Sequence, residues 1–278
     1  MSLAIVYTRA ALGIEAPLIT VEVHLSNGLP GLTMVGLPET TVKEARDRVR
    51  SALINSGYAF PAKKITINLA PADLPKEGGR YDLPIALALL VASEQLNTTR
   101  LNQYEFVGEL ALTGGLRGVP GAIPSAMEAI KAGRRIVVSS DNAAEVGLIG
   151  GSDCLVADHL QEVCAFLAGQ TSLSPPLAEA PARDERYEDL LDVIGQQQGK
   201  RALEIVAAGG HNLLLIGPPG TGKTMLASRL PGLLPPLSNQ EALESAAIQS
   251  LVNLHTAKTR WRQRPFRAPH HSASLAAM

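Results

Sequence analysis

Eight consecutive residues in the last quarter of the chain have the types and the spacing of a phosphate-binding loop. Residues 217–224 read Gly-Pro-Pro-Gly-Thr-Gly-Lys-Thr and fit the pattern G-x-x-x-x-G-K-S/T at every fixed position. Glycines let main-chain N–H groups approach a polyphosphate, Lys223 supplies a positive charge, and Thr224 offers a hydroxyl to Mg²⁺. A chance glycine–proline turn is the alternative. We predict that the loop binds ATP with Mg²⁺ through Gly217, Pro218, Pro219, Gly220, Thr221, Gly222, Lys223 and Thr224.

The residues on either side of the loop have the patterns of the elements that this motif needs. The apolar run 212–216 predicts a strand that leads into the loop, and residues 224–230 are helix formers. Prolines at 231, 235 and 236 are expected to end that helix before another one at 239–248. The sequence therefore predicts strand, loop and helix in the required order.

Length and composition indicate an ordinary globular protein without a charge excess. The 278 residues are enough for two domains, 46% of them are hydrophobic, and the formal net charge is −1. Because this charge gives no general attraction to nucleic acid, such a contact needs a local basic patch. The apolar run 83–92 is too short to cross a bilayer, and the first residues lack a signal-peptide pattern. With only two cysteines, Cys154 and Cys164, we expect a cytoplasmic protein with no membrane partner.

Strand and helix patterns alternate through residues 1–168 and predict an α/β or α+β domain. The predicted strands are 19–25, 64–69, 105–112, 135–138 and 154–156, and the predicted helices are 38–56, 82–95, 124–132, 142–149 and one that ends at 167. On helix 38–56 the charged residues, Arg46 and Arg50 among them, mostly lie away from the apolar face. This charged face predicts a solvated surface.

The composition changes after residue 168. Residues 169–188 carry three prolines among serine, alanine and charged residues, which is typical of an exposed linker. A second domain is predicted over 189–278. It opens with Asp-Val-Ile-Gly-Gln at 192–196, shortly before the phosphate-binding loop.

This pentapeptide, followed by the phosphate-binding loop, resembles an AAA+ ATPase. In that family the pentapeptide lies over the adenine, so the resemblance implies base contacts for Val193 and Ile194. The run Arg-Pro-Phe-Arg-Ala-Pro-His-His-Ser-Ala-Ser at 264–274 resembles the signature of the magnesium-chelatase-like branch. With the front domain, the whole chain is similar to the YifB/ComM competence-protein family. Its members are hexameric ATP-driven motors that promote branch migration of DNA, which implies DNA and further copies of the chain as partners.

The front domain is also similar to the peptidase domain of Lon proteases, a ribosomal S5 domain 2-like fold. Residues 75–83 resemble the stretch that carries Lon's nucleophilic serine, and 108–114 resemble the stretch that leads to its lysine. Here the serine position falls on or beside Arg80, and the lysine position falls near Ile123. A serine nucleophile needs a base within hydrogen-bond reach, and the spacing of Ser125 and Lys131 on one predicted helix does not restore that pair. We therefore predict no peptidase activity.

An AAA+ engine also needs an acidic Walker B strand, a sensor and an arginine finger. After Thr224 no apolar strand ends in paired acids, and the last acidic residue is Glu244. We expect that the chain is part of a longer protein and holds no catalytic residue of its own. It is expected to bind nucleotide weakly without turning it over.

A basic stretch near the end of the chain is a candidate for contact with nucleic acid. Its cations are interleaved with Trp261 and Phe266, and no acid lies among them. Cations neutralise phosphates and aromatic faces stack on bases, whereas a subunit contact or a solvated loop is the structural alternative. Two adjacent histidines, His270 and His271, do not suit a shared metal site. The nucleic-acid candidates are Lys258, Arg260, Arg262, Arg264 and Arg267.

Three functions fit the sequence. The first is an ATP-fuelled motor that remodels branched DNA, the second is a magnesium-chelatase motor subunit, and the third is a nucleotide-gated scaffold. The first is preferred because the chelatase subunit that the chain resembles starts close to its ATPase core. In this chain a Lon-like domain precedes that core.

Overall fold

The computed structural model describes residues 3–36, 39, 42, 44–176, 187–252, 261–269 and 272. The chain divides into two compact units, one formed by residues 1–181 with 243–259 and the other by 182–242 with 260–278. The predicted linker, 169–188, lies partly outside the described residues. Its boundaries, and those of the predicted domains beside it, stay a prediction.

A seven-stranded mixed sheet forms the centre of the first unit. The strands of this unit are β1 (Leu3–Arg9), β2 (Leu18–Ser26), β3 (Gly31–Val35), β4 (Lys64–Ala70), β5 (Tyr104–Phe106), β6 (Glu109–Leu110), β7 (Leu116–Arg117), β8 (Arg135–Ser139) and β9 (Cys154–Ala157). The order in the sheet is β3-β4-β2-β1-β5-β8-β9, and β6 pairs with β7 in a separate antiparallel ribbon. The second strand runs antiparallel to both of its neighbours, and the other neighbouring pairs are parallel. The mostly parallel sheet with helices confirms the mixed α/β class.

Helices cover the sheet of this unit. They are α1 (Ala45–Asn55), α2 (Asp82–Ala92), α3 (Ala122–Lys131), α4 (Ala143–Val146) and α5 (Leu160–Leu167). The second helix is apolar on nearly all sides and packs on β1 and β2, because such a helix must be buried. Its Pro84 lies in the first turn, where the missing N–H costs no helical hydrogen bond. Among the described residues, no helix has both the length and the apolar character needed to cross a membrane.

Two apolar clusters lie on opposite faces of the sheet at β8. Val137 belongs to the larger cluster, which includes β1, β2, β4, α1 and α2, whereas Ile136 and Val138 belong to a smaller one with α3. Successive side chains of a strand point to opposite faces, so this alternation indicates that β8 is covered on both sides.

A buried carboxylate ties three parts of the first unit together. Glu105 of β5 accepts hydrogen bonds from Arg9 of β1, with Nε–Oε2 at 2.6 Å and Nη2–Oε1 at 2.7 Å. Arg134, just before β8, donates from Nε to the same carboxylate at 2.9 Å. Buried charges persist only when they are paired, and here one anion holds two cations.

The outer edge of β9 is covered by the residues that follow α5. The main-chain N–H of Val156 donates to the carbonyl of Ser174 at 3.1 Å, and Leu173 packs against the larger apolar cluster. Residues 171–174 therefore contact the first unit although the sequence places them in a linker.

The predicted strand 105–112 is interrupted. The chain forms β5 and β6 with a break at Val107 and Gly108, because Gly108 bonds to the start of α2 rather than to β8. Its N–H donates to the carbonyl of Arg80, and its carbonyl accepts from Leu83. The first residues of predicted helix 38–56 lie partly outside the described residues, and α1 begins at Ala45.

Three more helices follow, α6 (Gln197–Gly209), α7 (Lys223–Leu233) and α8 (Asn239–Ser250). The strand predicted at 212–216 is wrong, since these residues form no strand. A strand needs a hydrogen-bonded neighbour, and the described part of the second unit contains no strand to pair with it. As a result Leu214 and Ile216 are 80% and 85% exposed.

The prediction that Pro231 ends the helix after the phosphate-binding loop is wrong. It lies inside α7, which continues to Leu233. Proline lacks an N–H donor, so one main-chain hydrogen bond of the helix is lost at this residue. The helix tolerates this loss because it ends within the same turn. The helix predicted at 239–248 is confirmed as α8.

Candidate functional site

The phosphate-binding loop leads into one of two helices that pack on each other in the second unit. Leu226 of α7 and Leu203 of α6 form a small core with Val193. Gly199 allows the close approach of the helices, because an added Cβ there would lie 2.9 Å from Cδ1 of Leu226. The start of α7, where the loop ends, is therefore fixed by apolar packing.

The backbone of the loop requires glycine at two positions. Gly220 and Gly222 have φ angles of +81° and +82°, a region that side chains with a Cβ adopt only with strain. Gly222 is the residue that precedes the first turn of α7. The N–H groups of that turn are free of helical partners and form the positive end of the helix dipole.

Lys223 folds over the loop. Its Nζ lies 2.9 Å from the carbonyl oxygen of Gly217 and 2.8 Å from that of Pro218. The hydroxyl of Thr221 donates to the same Pro218 oxygen at 2.9 Å, which closes the loop on itself. The ammonium group thus lies at the start of α7, where a phosphate would gain both its charge and the N–H groups.

The hydroxyl residue of the motif follows directly. Thr224 is exposed in the first turn of α7, which leaves its hydroxyl accessible to a metal ion held by a phosphate. In the described parts of the chain, no group of three or more histidine, cysteine or acidic side chains is placed to hold a metal.

Gln196 connects the pentapeptide 192–196 to the loop, a role that the sequence analysis did not assign. Its Nε2 donates to the carbonyl of Thr221 at 3.3 Å. The residue adopts φ +54° in front of α6, which is unusual for a side chain with a Cβ. The sequence feature that points to this role is the position of Gln196 in the AAA+-like pentapeptide that precedes the phosphate-binding loop.

The two residues predicted to contact adenine lie in different environments. Val193 is 1% exposed and packs in the core with Leu203 and Leu226, whereas Ile194 is 95% exposed. Both lie on the segment that Gln196 joins to the loop. Base contact by either side chain stays a prediction.

Arg229 of α7 anchors the start of the second unit. Its Nη1 donates to Oε2 of Glu188 at 3.0 Å, and its Nε donates to the carbonyl of Asp189 at 3.0 Å. With Tyr187 and Gly232 these residues line an open polar cavity of about 630 Å³. Sequence patterns do not predict this contact, because the partners are some forty residues apart.

The basic stretch is only partly described. Lys258, Arg260, His270 and His271 lie outside the described residues. Nε of Arg262 donates to the carbonyl of Leu237 at 2.9 Å, and Nε of Arg264 donates to the carbonyl of Pro235 at 2.7 Å. Arg267 is exposed. The two described arginines that contact the chain thus hold the segment between α7 and α8, and DNA contact by the stretch stays a prediction.

The first unit brings the two peptidase-like positions near each other. Arg80 is 3% exposed and donates to the carbonyls of Arg9 and Pro120, the latter three residues before Ile123. Ser125 is buried and donates to the carbonyl of Gly121 at 2.9 Å, whereas Lys131 pairs with Glu128 at 2.6 Å. Each of these polar groups is thus bonded to a partner other than the one a peptidase would need.

Both cysteines are free and buried in the first unit. Burial raises the pKa of each thiol to about 11, so both are protonated near neutral pH. They serve as small apolar side chains in the two clusters.

Two protein-family models match separate parts of the chain. Residues 21–142 match a family model described as "Subunit ChlI of Mg-chelatase". Residues 189–278, which contain the phosphate-binding loop, match one described as "Magnesium chelatase, subunit ChlI".

Comparison with curated proteins finds relatives that match from end to end of this chain. It is 77% identical to "Uncharacterized protein YifB" of Salmonella typhimurium and 75% identical to the Escherichia coli protein of that name, over 278 residues each. It is 58% identical over 285 residues to "Competence protein ComM" of Haemophilus influenzae. Every residue of the chain is covered, but the chain spans only 55% or 56% of each relative. By this identity, the chain belongs to the YifB/ComM family, a magnesium-chelatase-like group.

Proposed function

We propose that the chain is the nucleotide-binding part of an AAA+ motor that uses ATP with Mg²⁺. The observation that carries this proposal is the position of Lys223, whose Nζ lies over the loop carbonyls of Gly217 and Pro218 at the start of α7. A negatively charged β- or γ-phosphate is a stronger acceptor for this ammonium than a neutral carbonyl. Thr224 would supply one oxygen to the Mg²⁺ that accompanies the phosphates.

The chain itself would bind nucleotide rather than hydrolyse it. Hydrolysis in this class needs an acidic residue to position Mg²⁺ and water, and a cation from a neighbouring subunit. The relatives are nearly twice as long as this chain, so the remaining length is available for these groups in the full-length protein. We propose a ring of several copies, a hexamer by resemblance, in the cytoplasm.

Nucleotide binding is tested with a fluorescent ATP analogue and the 278-residue chain. Lys223→Ala is expected to weaken binding at least about tenfold, because charge-assisted bonds contribute the most in such loops. Lys131→Ala removes an exposed lysine of the first unit and serves as the control. Equal affinity of both variants for the analogue would count against the loop as the binding site.

We further propose that the full-length protein remodels DNA, by branch migration during transformation or recombination. This rests on the 58% identity to a protein named for competence. The test measures ATP hydrolysis by the full-length protein with and without a four-way DNA junction, while following separation of the junction into two duplexes. Faster ATP hydrolysis with the junction, together with separation of the junction, would support the motor. If the junction leaves hydrolysis unchanged and stays intact, the motor proposal is rejected.

A magnesium-chelatase subunit is the second candidate, because both family descriptions name that enzyme. A chelatase subunit would promote Mg²⁺ insertion into a porphyrin when combined with its partner subunits, and it would not respond to a DNA junction. The same two substrates, offered in parallel, distinguish the candidates. A nucleotide-gated scaffold would respond to neither.

For the first unit we propose a Lon-like, S5 domain 2-like fold that no longer cleaves peptides. The support is that Arg80 lies where the nucleophilic serine is expected and donates to main-chain carbonyls. Such a unit keeps its fold while its surface takes another role.

A further inference from the structure

A basic groove on the first unit lies outside every site described so far. It is formed by the outer side of α1, the residues that lead into β4, and the start of the edge strand β3, and its volume is about 280 Å³. Its floor is apolar, with Ile65 and Leu32. Its polar side chains are Arg46, Arg50 and Lys63.

The described residues that line this groove carry charges of one sign. Three of them are cations and none of them is an acid. Arg46 and Arg50 are four residues apart on α1, so they lie on the same face and repel each other. A helix that carries this repulsion gains from an anion that binds both side chains.

Neighbouring acids compensate little of this charge. Nε of Arg46 lies 3.9 Å from Oδ1 of Asp47, and both side chains are more than half exposed. Glu44 lies 4.0 Å from Arg48, on the side of the helix where Arg48 is held by Asp82 of α2. Exposed pairs at such distances contribute little, which leaves the groove positive.

An aromatic ring adds a flat surface to the groove. The guanidinium carbon of Arg50 lies 4.9 Å from the ring centroid of Phe60, and the ring is only partly buried. The cation–π contact fixes the arginine near the ring. Cations beside a ring are the combination with which proteins hold single strands, since phosphates meet the charges and bases stack on the ring.

We propose that this groove binds the phosphate backbone of single-stranded nucleic acid. Arg46 and Lys63 would contact phosphates, and Phe60 with Arg50 would support a base. The charge pattern alone predicts that the groove binds a polyanion. The choice of nucleic acid over an acidic peptide rests on the proposed DNA-remodelling function and on the ring of Phe60. Helix α1 and strand β4 give the contact a rigid support.

The test compares variants of the 278-residue chain for binding to a fluorescent single-stranded oligonucleotide, without nucleotide and over a range of salt. Arg46→Gln with Lys63→Gln is expected to raise the Kd about tenfold and to flatten the slope of log K against log salt by about 1.4. The matched control is Arg117→Gln with Lys131→Gln, which removes the same charge from two exposed side chains of the same unit. Phe60→Leu tests stacking, with an expected rise in Kd of about fivefold.

Two results would overturn the proposal. One is an equal effect of the control pair, which would indicate general charge attraction. The other is competition by polyglutamate as strong as that by unlabelled oligonucleotide, with no effect of Phe60→Leu, which would indicate a groove for acidic peptides. The oligonucleotide measurement contains neither ATP nor a DNA junction. Its result is therefore independent of the junction test of the motor, and either proposal can fail without the other.

Discussion

The side-chain amide of Gln196 donates a hydrogen bond to the carbonyl of Thr221, with Nε2 and O 3.3 Å apart. Through this bond the segment expected to contact adenine is joined to the loop expected to contact phosphate. The bond is therefore a direct link between these two segments, beside the packing of Val193 on Leu226.

Replacing Gln196 should weaken nucleotide binding. Both Gln196→Ala and Gln196→Gly remove the bond to Thr221, and we expect a several-fold higher Kd for a fluorescent ATP analogue in each. The glycine variant should be the more stable of the two in thermal unfolding, by about 1 kcal/mol, because φ is +54° at this position. Wild-type affinity of the alanine variant would show that the bond is unimportant for binding.

Thr224 should determine the response to Mg²⁺. Thr224→Ala removes the hydroxyl, so we expect the gain in nucleotide affinity on adding Mg²⁺ to fall while affinity in EDTA stays unchanged. Thr224→Ser keeps the hydroxyl and is the matched control. Titration of an ATP analogue with and without Mg²⁺ measures both, and an equal Mg²⁺ effect in all three proteins would argue against Thr224 as a ligand.

Glu145 should make the stability of the first unit depend on pH. Its side chain is 1% exposed, Oε1 contacts no donor within the described residues, and burial raises its pKa from 4.5 to about 7. Between these values the folded state holds a proton that the unfolded state releases. The free energy of unfolding therefore falls as pH rises through this window, and the loss is complete above about pH 7.

Urea unfolding of Glu145→Gln checks this dependence. The neutral amide removes the titration, so the variant should gain stability relative to wild type as pH rises from about 5 to about 8. Glu15→Gln, at an exposed glutamate, is the control and should leave the wild-type dependence unchanged. A constant difference between Glu145→Gln and wild type across that range would contradict the prediction.

Loss of the charge on Glu105 should destabilise the first unit strongly. Glu105→Gln leaves the guanidinium groups of Arg9 and Arg134 without a buried anion, and removing one partner of such a cluster costs about 3–5 kcal/mol. Glu128→Gln breaks the pair with Lys131, which lies at the surface, and should cost less than about 1 kcal/mol. Chemical unfolding followed by circular dichroism compares the two variants. Similar losses in the free energy of unfolding would mean that the buried ion cluster stabilises the unit no more than the surface pair.

Local patterns were enough to predict much of the first unit. The alternation in β2 and β4 and the continuous apolar run of α2 have periods that depend only on neighbouring residues. The ion cluster of Arg9 and Glu105 could not be found in this way, because the two residues are 96 positions apart and meet only when β1 pairs with β5.

In the second unit, local patterns predict the loop and the helix after it but not the structure of residues 212–216. The glycines and Lys223 of the loop were predicted from type and spacing, and a helix does begin at Lys223. The run 212–216 has the composition of a strand, but strand formation depends on a neighbour that its own sequence does not contain. The pattern at 192–196 predicts no role for Gln196, because its partner is a main-chain carbonyl, which any residue could supply.

The cover that residues 171–174 place on β9 decides where a shortened N-terminal part of the first unit should end. A protein shortened at residue 168 would lose Leu173 from the apolar cluster and leave the N–H of Val156 without the Ser174 carbonyl. Strand edges with free donors recruit other strands, so such a protein should self-associate. Ending this N-terminal part after residue 176 keeps the edge covered, because residues 171–174 then stay on β9.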